Sequence, residues 1–241
     1  MRPLTVRLPM PMLTPKPKPM PKPCPEPPKE LFMQVAIVLY PGFTALDVIG
    51  PYEVLGRLPD TEVVFVAETP GLVRNDMRSL SIDVVARLDD VPEPDVVIVG
   101  GGPGQLDQMS DGSLHAWLRR VNRPSTWMTS VCTGSLILAA AGILTGRRAT
   151  SHWGALEQLA EFGVTPVNER VVIDGRYATG AGVSAGIDMA LTLAGLIAGD
   201  DVAQAVQLLI EYAPRPPYDS GTRDDASPEI VEKLFTLFSH S

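Results

Sequence analysis

The sequence has little cysteine and little histidine. Its two cysteines, Cys24 and Cys132, lie in unlike settings, one in a Pro/Lys tract and the other at the end of an apolar run. They make no disulfide framework and lack the CxxC spacing of a zinc site, and a reducing, cytoplasmic setting fits them. The three histidines, His115, His152 and His240, are scattered, and no group of His, Asp and Cys has metal-ligand spacing, so neither a metal nor a cofactor is expected. Long apolar runs are also missing. Asp, Arg or Gly interrupts each one well short of the ~20 residues a spanning helix needs, which excludes a membrane helix. Positive charge is short too: 20 Lys and Arg against 28 Asp and Glu give a formal net charge of −8. A polyanion would be repelled, which disfavours nucleic acid as a partner.

What is present is a chain of 241 residues, 45% of them hydrophobic, enough to bury a large core in one domain with an appendage. Residues 1–30 are unlike the rest and hold 11 of the 24 prolines. Proline fixes φ and has no backbone donor, so residues 1–32 are expected to be an extended, disordered Pro/Lys-rich tail. Arg2, Arg7, Lys16, Lys18, Lys22 and Lys29 against Glu26 and Glu30 give this tract +4, leaving −12 on the remainder. No long apolar stretch follows the early arginines, so it is not a secretory signal. The tract reads either as a polybasic docking arm or as a segment upstream of a true start at Met33.

Residues 33–241 are expected to form one α/β domain. Val35–Tyr40 is a continuous apolar run, the mark of a buried parallel strand, and Pro41-Gly42 ends it. Asp47–Leu58 reads as a helix, with Pro51 tolerable in its first turn. Glu62–Ala67, Asp95–Val99 and Thr126–Val131 read as further strands, Leu114–Val121 and Ser135–Ala141 as helices, and Gly142 as a helix stop. Arg170–Ile173 and Tyr177–Thr179 can pair around Asp174-Gly175, and Ser184–Ala198 reads as a buried helix ending at Gly199. Such alternation predicts a mostly parallel sheet with helices on both faces.

The chemistry points to Cys132. A strand runs into it, and Thr133-Gly134-Ser135 opens a helix directly after it. A tight strand-to-helix elbow needs small neighbours and exposes its central side chain at the sheet's carboxyl edge, where ligands of open α/β sheets bind. The helix N-terminus beside the sulfur is expected to lower the thiol pKa and favour the nucleophilic thiolate. The alternative is a buried cysteine filling space. Gly100–Gly104 follows a strand and can bring backbone N–H groups to the same edge, and Gly180–Gly186 can wall the pocket; either can equally be a plain turn. Asp47 follows the first strand closely and can reach across the edge to Cys132, although Asp is also a preferred helix N-cap. His152 can form a Cys–His pair, but a lone histidine reads better as structural. His115 falls on a surface helix and His240 in the tail.

Tyr40–Leu55, Ser130–Ser135, Gly146–Trp153, Gly180–Leu193 and Glu211–Gly221, in that order, resemble the DJ-1/PfpI superfamily, which is related to class I glutamine amidotransferase domains. The resemblance covers about residues 34–230. It implies a flavodoxin-like sandwich with a cysteine nucleophile elbow, a homodimer, no cofactor and a small-molecule substrate. By position, Cys132 matches the nucleophile and Asp47 the acid that bonds near the thiol and serves as general acid/base. Thr133 matches the residue after the nucleophile and Val183 a pocket residue whose backbone nears the sulfur. The backbone N–H groups near Thr133 and Gly102 are expected to stabilise developing charge. PfpI-type proteases carry His after the cysteine, where this chain has Thr133; DJ-1 carries Glu where this chain has Asp47.

Within the superfamily the chain is most similar to isocyanide hydratases, which implies addition of water to R–N≡C, through a thioimidate, to give an N-substituted formamide. Three other functions fit the same fold: a DJ-1-like redox-responsive protein, a glyoxalase-like enzyme, and an amidotransferase-like ligand sensor. AraC-type regulators carry a DNA-binding domain after such a sensor, and with the last residue at Ser241 none is expected here.

Overall fold

The computed structural model describes residues 32–238. The first half runs β1 (Met33–Val38), α1 (Ala45–Leu55), β2 (Thr61–Ala67), β3 (Gly71–Arg74), β4 (Ser81–Val84), β5 (Ala86–Arg87), β6 (Val96–Val99) and α2 (Ser113–Val121). The second runs β7 (Trp127–Val131), α3 (Gly134–Ala140), β8 (Arg148–Ala149), β9 (Thr165–Pro166), β10 (Val171–Asp174), β11 (Tyr177–Gly180), α4 (Ala185–Ala198), α5 (Asp200–Leu209) and α6 (Pro228–Phe238). Apart from Phe32, the tail expected over residues 1–32 lies outside the described residues.

A strand covered on both faces must be apolar at successive positions, and Val96–Val99 are all fully buried, as are Val35–Ile37 beside them. These strands form the middle of a seven-stranded sheet in the order β10-β11-β7-β6-β1-β2-β5. Every pairing in it is parallel except β10 with β11, where Asp174 faces Tyr177 across the turn. One helix layer has α1 packed on α4 and α4 on α5; in the other, α2 packs on α3. The chain turns to β2 on one side of β1 and to β6 and β7 on the other. The carboxyl ends of β1, β6 and β7 therefore meet where the strand order reverses, the place where open α/β sheets bind ligands.

Three local readings change. Helix α1 begins at Ala45, not Asp47, so Pro51 sits in its second turn. Proline there leaves the Asp47 carbonyl without an intrahelical donor. The buried ring packs on α4 instead: a Cβ at Gly186 would lie 3.3 Å from Pro51 Cδ. His115, expected on a surface, is 1% exposed, and Nε2 bonds the Gln108 carbonyl at 2.8 Å. The short 3-10 segment Pro103–Gln108 covers that flank of α2. Finally, the β3–β4 hairpin and helices α5 and α6 occupy segments that the apolar pattern left unassigned. Among the described residues no helix is long and apolar enough to cross a membrane.

Candidate active site

Strand β7 ends at Val131 and α3 starts at Gly134, so the chain reverses through Cys132 and Thr133. Cys132 has φ +58°, in the left-handed region that costs a side-chain-bearing residue roughly 1–2 kcal/mol. Its surroundings hold it there. Its N–H donates to the carbonyls of Gly180 and Ala181 at 3.0 and 2.8 Å. Its carbonyl accepts from the hydroxyls of Ser135 and Ser151, both at 3.1 Å. Gly134 lets the elbow seat on the end of β6, because a Cβ there would lie 2.0 Å from the Val99 carbonyl oxygen.

Asp47 reaches the elbow from α1. The N-cap is Thr44, and Asp47 is the third helical residue, fully buried, so its carboxyl is turned to the sheet edge and does not cap the helix. Oδ2 accepts from Gly101 N–H at 2.7 Å, whereas Oδ1 is buried with no hydrogen-bond partner among the described residues. The glycine loop is pinned around this bond. The Gly101 carbonyl accepts from Thr44 N–H at 2.8 Å, and Gly102 N–H donates to Thr133 Oγ1 at 3.1 Å. Gly102 thus spends its donor on Thr133. A Cβ on Gly101 would stand 2.5 Å from Thr133 N and Oγ1, so only glycine brings the loop this close to the elbow.

Burial dominates the electrostatics. It pushes the Asp47 carboxyl up to about 7, with the charge of Asp76 adding to it and Gly101 N–H and the Cys132 thiol opposing it. Burial and then the Asp47 charge push the Cys132 thiol up to about 12, against the N–H groups of Thr133 and Val183, which donate to the sulfur. The lowered thiol pKa expected from the helix terminus does not appear, because desolvation and a neighbouring carboxylate outweigh two amide donors. Near neutral pH the site therefore holds a protonated thiol beside a half-ionised carboxyl. The ionised Asp47 carboxyl beside it can accept the thiol proton, and because that transfer is uphill it must be coupled to bond formation at sulfur.

The structure thus brings Cys132, Asp47, Thr133, Gly102 and Val183 to one place at the carboxyl edge. Of these five, Val183 lines a cavity of about 420 Å³ whose walls also include Ser151, His152, Trp153, Arg170 and Arg223. His152 serves its own turn: Nδ1 accepts from Gly154 N–H at 3.2 Å, and partial burial lowers its pKa. Among the described residues no hydrogen bond joins it to Cys132. A second cavity, about 370 Å³, opens at the ends of β1 and β2; Cys132 and Asp47 line neither cavity, and none of the five site residues lines the second. Among the described residues no three His, Cys, Asp or Glu side chains converge as a metal site.

Sequence reasoning gave no part to three residues that support the site. Ser151 secures the Cys132 carbonyl, Asp76 accepts from Thr44 Oγ1 at 2.7 Å, and Tyr40 donates to the Gly100 carbonyl at 2.7 Å. Ser151 and Tyr40 lie inside the segments that carry the family resemblance, a signal that was there to be used. Asp76 lies in a turn with no such signal.

Comparison with known proteins follows the same lines. Residues 33–195 match the DJ-1/PfpI family. An isonitrile hydratase from Pseudomonas putida is 43% identical over 201 residues, 83% of this chain and 88% of that protein. The HTH-type transcriptional regulator CdhR of Pseudomonas aeruginosa is 32% identical over 178 residues, 70% of this chain but only 52% of the regulator. The crystal structure of a THiJ/PfpI family protein from Pseudomonas syringae superposes with a TM-score of 0.82 at 35% identity, covering 92% of this chain and 93% of that one. A buried elbow, a mostly parallel sheet and these relatives agree: the chain belongs to the DJ-1/PfpI family.

Proposed function

We propose that this protein is an isocyanide hydratase in which Cys132 is the nucleophile and Asp47 the general acid/base. The observation that carries the reading is the pairing of a buried carboxyl, one oxygen of which has no partner, with a buried thiol that can ionise by giving that carboxyl its proton. The similarity to an isonitrile hydratase over most of both chains supports the substrate class.

In the first step Cys132 Sγ bonds to the terminal carbon of R–N≡C, and the thiol proton passes through Asp47 to that same carbon. The product is the thioimidate R–N=CH–S–Cys132. Asp47, again a carboxylate, takes a proton from water as its oxygen adds to the carbon, and that proton is delivered to nitrogen. The adduct R–NH–CH(OH)–S–Cys132 collapses: the hydroxyl proton returns to sulfur through Asp47, the C–S bond breaks, and R–NH–CHO leaves. Covalent attachment divides one difficult hydration into two easier steps. Thr133 and Val183 N–H donors steady the sulfur as it gains negative charge and again as it departs. Gly102 contributes by fixing the Thr133 hydroxyl, and Val183 also walls the cavity that receives R.

The likeness to CdhR favours a ligand sensor as the second reading. A homodimer goes with the family reading, and sedimentation of the purified protein tests it. The function itself is tested by incubating protein with a simple alkyl isocyanide and measuring N-formamide by chromatography. Formation by wild type and not by Cys132→Ala is expected. Well-folded wild type that makes none would remove the hydratase reading, and tight ligand binding unaffected by Cys132→Ala would favour the sensor.

A further inference from the structure

Tyr40 takes no part in the steps above, yet it touches the peptide that holds Asp47. It follows β1, its side chain is buried, and its hydroxyl donates to the Gly100 carbonyl at 2.7 Å. The Gly100 carbonyl and the Gly101 N–H belong to a single planar peptide group. That N–H is the donor to Asp47 Oδ2, at 2.7 Å. A phenol on one side and the carboxyl on the other are therefore joined through one amide. The amide itself is held in place, with the Gly101 carbonyl accepting from Thr44 N–H and Gly102 N–H engaged on Thr133 Oγ1.

We propose that Tyr40 is a positioning residue for this reaction, aiming and strengthening the Gly101 N–H that holds Asp47 beside Cys132. The inference rests on Asp47 acting with Cys132 as described above. A donor on an amide oxygen polarises the group and makes its N–H a stronger donor. A stronger donor to a carboxylate favours the ionised form, the state in which Asp47 can accept the thiol proton. The titratable groups that act on Asp47 are Cys132 from the elbow, Asp76 from the turn after β3, and Tyr40 from the end of β1. None of them brings a positive charge, so the amide N–H is the main fixed group opposing the burial of the carboxylate. Without the hydroxyl, the Gly100 oxygen becomes a buried acceptor that has lost its donor, and the amide is free to tilt.

The test is the titration of Asp47 itself, followed by carbon NMR of protein labelled at the aspartate carboxyl carbon, with Asp47→Asn assigning the resonance. Tyr40→Phe is expected to raise the midpoint by roughly half a pH unit. It is also expected to lower kcat several-fold with KM nearly unchanged, and to carry the acid limb of the rate profile upward with the NMR midpoint. A fluorinated tyrosine at position 40, a stronger donor of nearly the same shape, should move the midpoint the opposite way, and it keeps the test available if Tyr40→Phe folds poorly. A midpoint unmoved in folded Tyr40→Phe and in the fluorinated protein would overturn the proposal and leave Tyr40 a packing residue. The NMR midpoint needs no isocyanide, so a failure of turnover would sink the hydratase reading separately from this one.

Discussion

Replacing Asp47 with Asn should make the protein more stable and nearly inactive at once. Asn keeps an oxygen for Gly101 N–H and can present its amide to the sulfur, so the geometry survives while the charge is removed. The folded-state pKa of Asp47 is raised from 3.8 to about 7. Protonation therefore favours the fold: the penalty is absent below the unfolded value and grows as pH rises to about 7. At ~1.4 kcal/mol per unit, the buried carboxylate costs about 4 kcal/mol at pH ~8 and about 2 kcal/mol at pH ~5. Asp47→Asn should recover much of this, with the larger gain at the higher pH. The neighbouring thiol contributes nothing in that window, since it stays protonated in both states well below pH ~9. Urea midpoints of both proteins at the two pH values measure the effect. Turnover should fall at least ~100-fold through loss of the general acid/base. An Asn variant no more stable than wild type at the higher pH, or equally stabilised at both, would refute the buried, raised carboxyl.

Other outcomes follow from the same geometry. If the reactive form is the thiol–carboxyl pair carrying one proton, kcat/KM should rise with pH through about 7 and then level off; a profile falling with pH over that range would contradict it. Cys132→Ser should form no adduct with an isocyanide, since a buried hydroxyl is harder to ionise than a thiol; normal turnover would move the nucleophile elsewhere. Thr133→Val takes the acceptor from Gly102 N–H, and should lower kcat and cost about 1–3 kcal/mol in thermal or urea unfolding. Gly134→Ala drives a methyl to 2.0 Å from the Val99 carbonyl oxygen, and should cost several kcal/mol or prevent folding; a variant of unchanged Tm would mean the elbow does not seat as described.

The central strands were legible because parallel strands buried on both faces must be continuously apolar, as Val35–Val38 and Val96–Val99 are. Cys132 was legible because a tight elbow demands the small residues that follow it. The start of α1 was misread because Asp47 is a good cap by type; only tertiary structure shows Thr44 in that place and the carboxyl turned inward. The sign of the Cys132 shift was lost for a related reason. A helix terminus can be read from sequence, but the burial that outweighs it depends on what the rest of the chain stacks above the sulfur. Helix α6 was left unassigned although Ile230, Val231, Leu234 and Phe235 recur at helical spacing; in the structure its apolar side chains stay largely exposed. The Tyr40–Gly100–Asp47 chain joins residues that lie far apart in sequence, and no local pattern reports such a contact.

The measurement that tests the central claim most directly is the mass of the intact protein quenched in acid during turnover of an isocyanide. The account predicts a transient gain of one isocyanide mass, mapping to the peptide that contains Cys132 and absent from Cys132→Ala. Formamide production by wild type with no adduct on Cys132 would contradict covalent catalysis at this elbow.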